Sequence, residues 1–211
     1  ADGHDCCEHL MRWNKDFAPK AGLEWDDFMK VAETLYGSAK AVDPRSDYED
    51  KAYPAVWHGH RSIIKDSMPV DDALFPMIYS LDTPDHRVRA AGMEGTSFEY
   101  HLFTAATGID ITEAEFDLAA ERVFNLERAL HVRNYDRNRD MDETVIPYFS
   151  TLEWWENPVT RQRRALDPDR FRALMDEYYR LRGWDERTGR PTTAQLVRLG
   201  LADVADALAG L

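Results

Sequence analysis

Apolar residues recur at steps of three and four over most of the chain, the period of helices with one buried face. Over residues 24–36, Trp25, Phe28, Met29, Ala32 and Leu35 fall on one side, and Gly37 stops the run. A polar, turn-rich stretch with Asp43 and Pro44 fills residues 38–54, and a helical pattern resumes over residues 56–64. Residues 73–79 are short and apolar, residues 81–92 read as loop, and residues 94–107 carry the stripe Phe98, Leu102, Ala105 and Ala106 before Gly108. The clearest helix is announced by Thr112 and Glu115, a capping box in which hydroxyl and carboxylate satisfy opposite orphan donors. Behind it Phe116, Ala119, Val123, Leu126 and Leu130 predict the buried stripe, with Glu121, Arg122, Glu127 and Arg128 outside. Residues 133–157 turn charged and irregular and reach Trp154 and Trp155, which are expected to cover core. Asp167 and Pro168 restart a helix that runs through Phe171, Leu174, Met175 and Tyr178 to Gly183. Thr192 and Gln195 predict a second capping box. No alternating strand pattern and no internal repeat stands out, so the expected fold class is all-α.

Composition narrows the classes of function. The 211 residues, 44% of them hydrophobic, suffice for one sizeable core or two small ones. A net charge of −13 repels phosphate backbones and argues against nucleic acid as a partner. No apolar run reaches the length of a membrane span. The only cysteines, Cys6 and Cys7, are adjacent, which excludes a disulfide framework and fits a reducing, cytoplasmic compartment. The start, ADGHDCCEHL, has neither an initiating Met nor a signal layout, so the chain is expected to continue something longer or to be processed.

Candidate chemistry concentrates in KDSMPVDDALFP, residues 65–76. Asp71 or Asp72 can cap a helix beginning at Ala73. Asp66 has no such reason: it follows Ile63 and Ile64 and precedes Met68 and Pro69, where a helix arriving from about Pro54 must stop. At a helix C-terminus the macrodipole disfavours an anion unless a partner compensates it. His58 and His60 lie on the same helix and face either a ligand or solvent. At the N-terminus His4, Asp5, Cys6, Cys7 and His9 form a dense set of potential ligands or a polar surface segment. The arginines of residues 161–164 are a solvated face or a contact for an acidic partner.

Three segments carry a family resemblance: ERVFNLERALHVR (121–133), RNRDMDETVIP (137–147) and YYRLRGWDERTGRPTTAQLVRLGLADVADAL (178–208). Together with the order and spacing of residues 51–208, they resemble the C-terminal helical domains of the aldehyde ferredoxin oxidoreductase family. Those are tungsten or molybdenum bis-pterin enzymes, among them class II benzoyl-CoA reductase catalytic subunits. The resemblance divides the chain into an N-terminal segment, residues 1–50, and a helical domain, residues 51–211. Residues 66–72 are similar to the family's D-x-x-G-L-(C or D)-x motif, except that Pro69 and Val70 stand where Gly-Leu is usual.

The resemblance implies that Asp66, with Ser67 and Val70, binds a tungstopterin or molybdopterin. A carboxylate there accepts the parallel donors of the amino-pyrimidine edge as a charge-assisted pair. Asp71 occupies the position where tungsten members carry the last thiolate of a [4Fe–4S] cluster. An Asp-ligated cluster, a cluster with an open iron site, and no cluster with Asp71 as a plain cap all remain open. Cys7 and His9 resemble a Cys-His pair upstream of the motif, with His9 as a proton shuttle. The other cluster ligands and the β-rich pterin-cradling domain lie outside this chain, so a larger polypeptide and a ferredoxin or another redox subunit are the implied partners. The competing expectation is a metal-free helical module of the same family with a structural or interaction role.

Overall fold

The computed structural model describes residues 25–70, 98–144, 154–157 and 160–210. Contacts divide the chain into two units, Ala1–Asp43 with Trp57–Ala120, and Pro44–Val56 with Glu121–Leu211. The expected helix at residues 73–79, the loop at 81–92 and everything before residue 25 lie outside the described residues.

In the first unit, α1 (Trp25–Tyr36) ends where Gly37 takes a left-handed φ of 72° and donates to Glu33 O. α2 (Ala52–Ser67) is longer than the apolar pattern of residues 56–64 suggests. Pro54 sits in its first turn, where a backbone donor has no intrahelical partner to lose. α3 (Phe98–Thr107) stops at Gly108, whose N–H donates to Thr104 O at 2.9 Å. α4 (Glu113–Tyr135) opens on the predicted capping box. Thr112 N–H donates to Glu115 Oε2 at 2.7 Å, and Glu115 N–H donates to Thr112 Oγ1 at 3.2 Å. The Thr112 N–H and hydroxyl, both donating to Glu115 Oε2, hold the Glu115 carboxyl below its usual pKa.

The buried face of α4 differs from the apolar stripe. Phe116 is buried, but Ala119, Val123 and Leu130 are exposed, while Ala120, Asn125, Arg128, Ala129 and Val132 are buried. Arg128, expected outside, therefore lies inside. The cause is hydrogen bonding: the Trp184 indole N–H donates to Asn125 Oδ1 at 2.7 Å, and Arg128 Nε donates to Gly189 O at 2.9 Å. A helix face is chosen by what waits for it, and here polar partners outweigh three exposed apolar side chains.

The second unit is built around the C-terminal half of α4. α5 (Arg139–Glu143) is a short helix inside the segment expected to be irregular, capped by Asn138 Oδ1 accepting from Met141 N–H. α6 (Pro168–Arg182) starts as predicted, with Asp167 Oδ1 accepting from the N–H groups of Asp169 and Arg170 and Gly183 ending it at φ 68°. α7 (Thr193–Arg198) and α8 (Ala202–Ala209) complete the chain. Only half of the second capping box forms. Gln195 N–H donates to Thr192 Oγ1, but the Gln195 side chain turns away to Glu121 Oε1, and Thr192 N–H donates to Gly183 O.

Two short strands, β1 (Trp155–Glu156) and β2 (Arg163–Arg164), pair antiparallel with Trp155 opposite Arg164. They had no signature in the pattern, being two residues each, and they leave the fold all-α. Trp154 is 64% exposed rather than covering core.

The core of this unit joins apolar and charged groups. Tyr179 is 0% exposed and lies 5.8 Å from the Trp184 ring, and Trp184, Leu196, Leu199 and Ala205 are buried as well. Asp142 Oδ1 and Oδ2 accept from Arg128 Nη1 and Nη2 at 2.9 and 2.5 Å, from Arg137 Nε at 2.7 Å and from Tyr179 Oη at 2.6 Å. Arg128 also lies over the Trp184 ring at 4.7 Å. Arg139 pairs with Glu143 within α5 and joins that helix to Asp176 and the Glu186 carbonyl.

Gly189 shows how tightly this knot is drawn. Its φ is 69°, and a Cβ there would stand 2.7 Å from Arg128 Nη2 and 3.2 Å from Tyr179 Oη. Arg128 cannot yield without releasing Asp142. Gly200 has nearly the same φ, 73°, with nothing within 4 Å of its Cβ position. Gly189→Ala is therefore expected to cost about 3 kcal/mol in urea unfolding and Gly200→Ala only about 1 kcal/mol, the backbone strain alone. Equal losses at the two positions would contradict the packing described.

Candidate functional site

The last three turns of α2 place the residues that the sequence singled out. Trp57, His58, Arg61 and Lys65 recur at helical spacing, and Arg61 and Lys65 are each only 2% exposed. Two buried cations one turn apart require anionic or π partners. Arg61 pairs with Asp117 of α4 and stands 5.1 Å from the Trp57 ring centroid. Glu99 of α3 is buried and acts electrostatically on Asp117. His58 is buried, with Tyr36 Oη 2.8 Å from its Nε2, so it does not face solvent; His60 is half-buried. Tyr36 and Trp57 meet edge to face at 5.8 Å. Arg61, Lys65 and Asp117 were not picked out from the sequence, although the spacing of Arg61 and Lys65 with His58 in HGHRSIIKDS marks a polar stripe on an otherwise apolar helix.

Beyond Lys65 the helix closes on itself. Met68 N–H donates to the carbonyls of Ile64 and Lys65, and Val70 N–H donates to Lys65 O at 3.0 Å. This brings Asp66, Ser67 and Val70 to one helix terminus, with Asp66 and Ser67 exposed and Val70 half-buried. Among the described residues the Asp66 side chain makes no hydrogen bond and no ion pair. Its carboxylate thus projects from the negative end of a sixteen-residue helix with nothing in the described chain to offset it. His9 and Asp71 lie outside the described residues, as do His4, Asp5, Cys6 and Cys7. No group of three His, Cys, Asp or Glu suited to a metal ion occurs among the described residues.

Residues 7–201 match the family model described as aldehyde ferredoxin oxidoreductase, domains 2 & 3. The chain belongs to the aldehyde ferredoxin oxidoreductase family. Its helical architecture agrees with the C-terminal helical domains of that family, and the match reaches well upstream of residue 51, where the sequence resemblance began. Members of the family use a tungsten or molybdenum pterin. The donor-only edge of a pterin's amino-pyrimidine ring needs paired acceptors, and Asp66 offers two oxygens that no described residue occupies. The residue type and its setting fit that group. No described helix is long and apolar enough to cross a membrane.

An uncompensated carboxylate at a helix C-terminus lowers the stability of the helix that carries it. Asp66→Asn in the cofactor-free chain is therefore expected to raise stability by about 0.5 kcal/mol in urea unfolding. A loss of stability would mean that Asp66 has a structural partner, and its availability to a ligand would no longer hold.

Proposed function

We propose that this aldehyde ferredoxin oxidoreductase family chain supplies the helical domains of a tungsten- or molybdenum-pterin oxidoreductase acting on an aldehyde, a carboxylic acid or an acyl thioester. The observation that carries the reading is Asp66, an acceptor-only side chain at a helix end with no partner among the described residues, in the motif similar to the family's pterin-binding one. Asp66 would hold the amino-pyrimidine edge of one pterin, with Ser67 exposed beside it and the Val70 backbone fixing the turn on Lys65 O. The metallopterin, when bound, supplies two-electron redox chemistry at the substrate carbonyl.

The chain's own part is to position and enclose. The Arg61, Asp117 and Trp57 contacts fix the orientation of α2, and thereby the direction in which Asp66 projects. The family's N-terminal domain and cluster cysteines would come from a larger polypeptide, of which this chain is either a part or a separate small subunit, a reading supported by the matched model's description as domains 2 & 3. A ferredoxin-type carrier in the cytoplasm would take or deliver the electrons, and His9 would shuttle a proton. Asp71, in the family's cluster-ligand position, would close a [4Fe–4S] cluster whose other ligands lie in the larger polypeptide.

A second reading rests on a specific departure: Asp71 stands where a thiolate is usual, and Pro69 and Val70 replace Gly-Leu. Both changes weaken a cofactor site, and they suit a metal-free helical subunit. The protein purified natively with its partner distinguishes the two readings by its tungsten, molybdenum and pterin content. Asp66→Asn in that complex is expected to lower pterin occupancy about tenfold after dialysis, since the amide presents a donor toward the pterin's donors and leaves them unpaired. Unchanged pterin content would remove Asp66 from the site, and a wild-type complex free of metal and pterin would favour the structural subunit.

A further inference from the structure

α4 carries an apolar stripe on the side opposite the one it buries. Successive helix residues turn by about 100°, so Asn125, Arg128 and Val132, all buried, share one side. Val123, Leu126 and Leu130 share the other: Val123 and Leu130 are each 39% exposed and Leu126 is half-buried. All of these residues belong to the second unit. Exposed apolar residues scattered singly are ordinary, but aligned along one helix they form a surface suited to a partner.

The spacing and the flanking charges identify the occupant. Steps of three and four are those of a two-stranded coiled-coil seam, with Val123 and Leu130 at a positions and Leu126 at the d position between them. A β-branched residue at a with Leu at d favours two strands. Arg122 then takes a g position and Glu127 the following e position. In a parallel pair, g of one helix meets e of the other, so Arg122 faces Glu127 of a second copy, and the two-fold axis makes that contact twice. An antiparallel pair would bring g to g and e to e, turning arginine toward arginine and glutamate toward glutamate. Both side chains are exposed and available. The Glu127 carboxylate has no partner among the described residues, and Arg122 engages only Nε, which donates to Leu199 O at 2.7 Å. Because α4 is already held in the fold by its buried face, pairing does not have to order the helix.

We propose that α4 is a self-association surface: two copies of the chain pair α4 in parallel through Val123, Leu126 and Leu130, with Arg122 of each copy bridged to Glu127 of the other. The surface excludes Asp66 and needs no pterin, so it stands or falls separately from the proposed function. A seam this short buries less area than a permanent interface, and the expected Kd is accordingly modest, about 10 μM.

Sedimentation velocity of the 211-residue chain between about 1 and 200 μM is expected to show a monomer–dimer equilibrium. Leu130→Glu is expected to weaken it about one hundredfold by placing a charge in the seam. Leu130 faces solvent in the single chain, so the variant is expected to keep the wild-type far-UV circular dichroism. Arg122→Glu and Glu127→Arg are each expected to weaken dimerisation about tenfold, since each turns two attractions into two repulsions. The double exchange is expected to return it to within about threefold of wild type, a rescue that a purely apolar contact would not give. A chain still monomeric at about 200 μM would overturn the proposal and leave the stripe to a different polypeptide or to water. A dimer indifferent to Leu130→Glu would overturn it by placing the contact elsewhere. Single exchanges that the double exchange fails to rescue would overturn the parallel pairing.

Discussion

The carboxylate of Asp142 is the point on which the second unit turns. Four donors from three side chains converge on it, two from Arg128 and one each from Arg137 and Tyr179. Burial alone would raise its pKa, but the hydrogen bonds from Arg128, Tyr179 and Arg137 outweigh burial and hold the carboxyl below its ordinary range. Burial, and after it the same pairing, pushes the Tyr179 hydroxyl pKa up. A carboxyl whose folded pKa lies below its unfolded value of 3.8 contributes stability above that value and loses it as pH falls through the folded pKa. Through Asp142 the helices α4, α5 and α6 are fastened to one another, and through Arg128 the turn at Gly189 and the Trp184 ring are fastened to them.

The first unit uses charge differently. Arg61, Lys65 and Glu99 are buried in it, and Asp117 pairs with Arg61, so that the helix leading to Asp66 is held by polar as well as apolar contacts. Asp66 itself stands outside that arrangement. Its position at the negative end of α2 costs stability that no described contact returns. Local rules broken without compensation point to a site kept for binding.

Most helix boundaries were legible in the sequence because they depend on neighbours within four residues. The box at Thr112 and Glu115, the cap at Asp167 and the stops at Gly37, Gly108 and Gly183 formed as the residue types predict. The buried face of α4 was not legible. Its choice depends on Trp184, Gly189 and Asp142, between 14 and 61 residues away from their partners, and periodicity weighs only apolar residues. Gln195 illustrates the same limit. Its type and spacing fit a capping box, but Glu121, 74 residues earlier, competes for the side chain and takes it. The exposed position of Asp66 at a helix end was readable from Met68 and Pro69 following Ile63 and Ile64, whereas the buried pairing of Arg61 with Asp117, 56 residues apart, was not.

The claim that a buried ion pair organises the second unit is tested most directly by a double-mutant cycle. Urea unfolding at pH 7 of wild type, Arg128→Met, Asp142→Asn and the double variant gives the coupling energy between the two side chains. Each single change should cost about 3 kcal/mol or more, because it leaves the other group buried without its main partner, and the double variant should cost little more than either, a coupling of about 2 kcal/mol. Strictly additive losses, with a coupling near zero, would show that Arg128 and Asp142 act independently and that the unit is held by its apolar contacts alone.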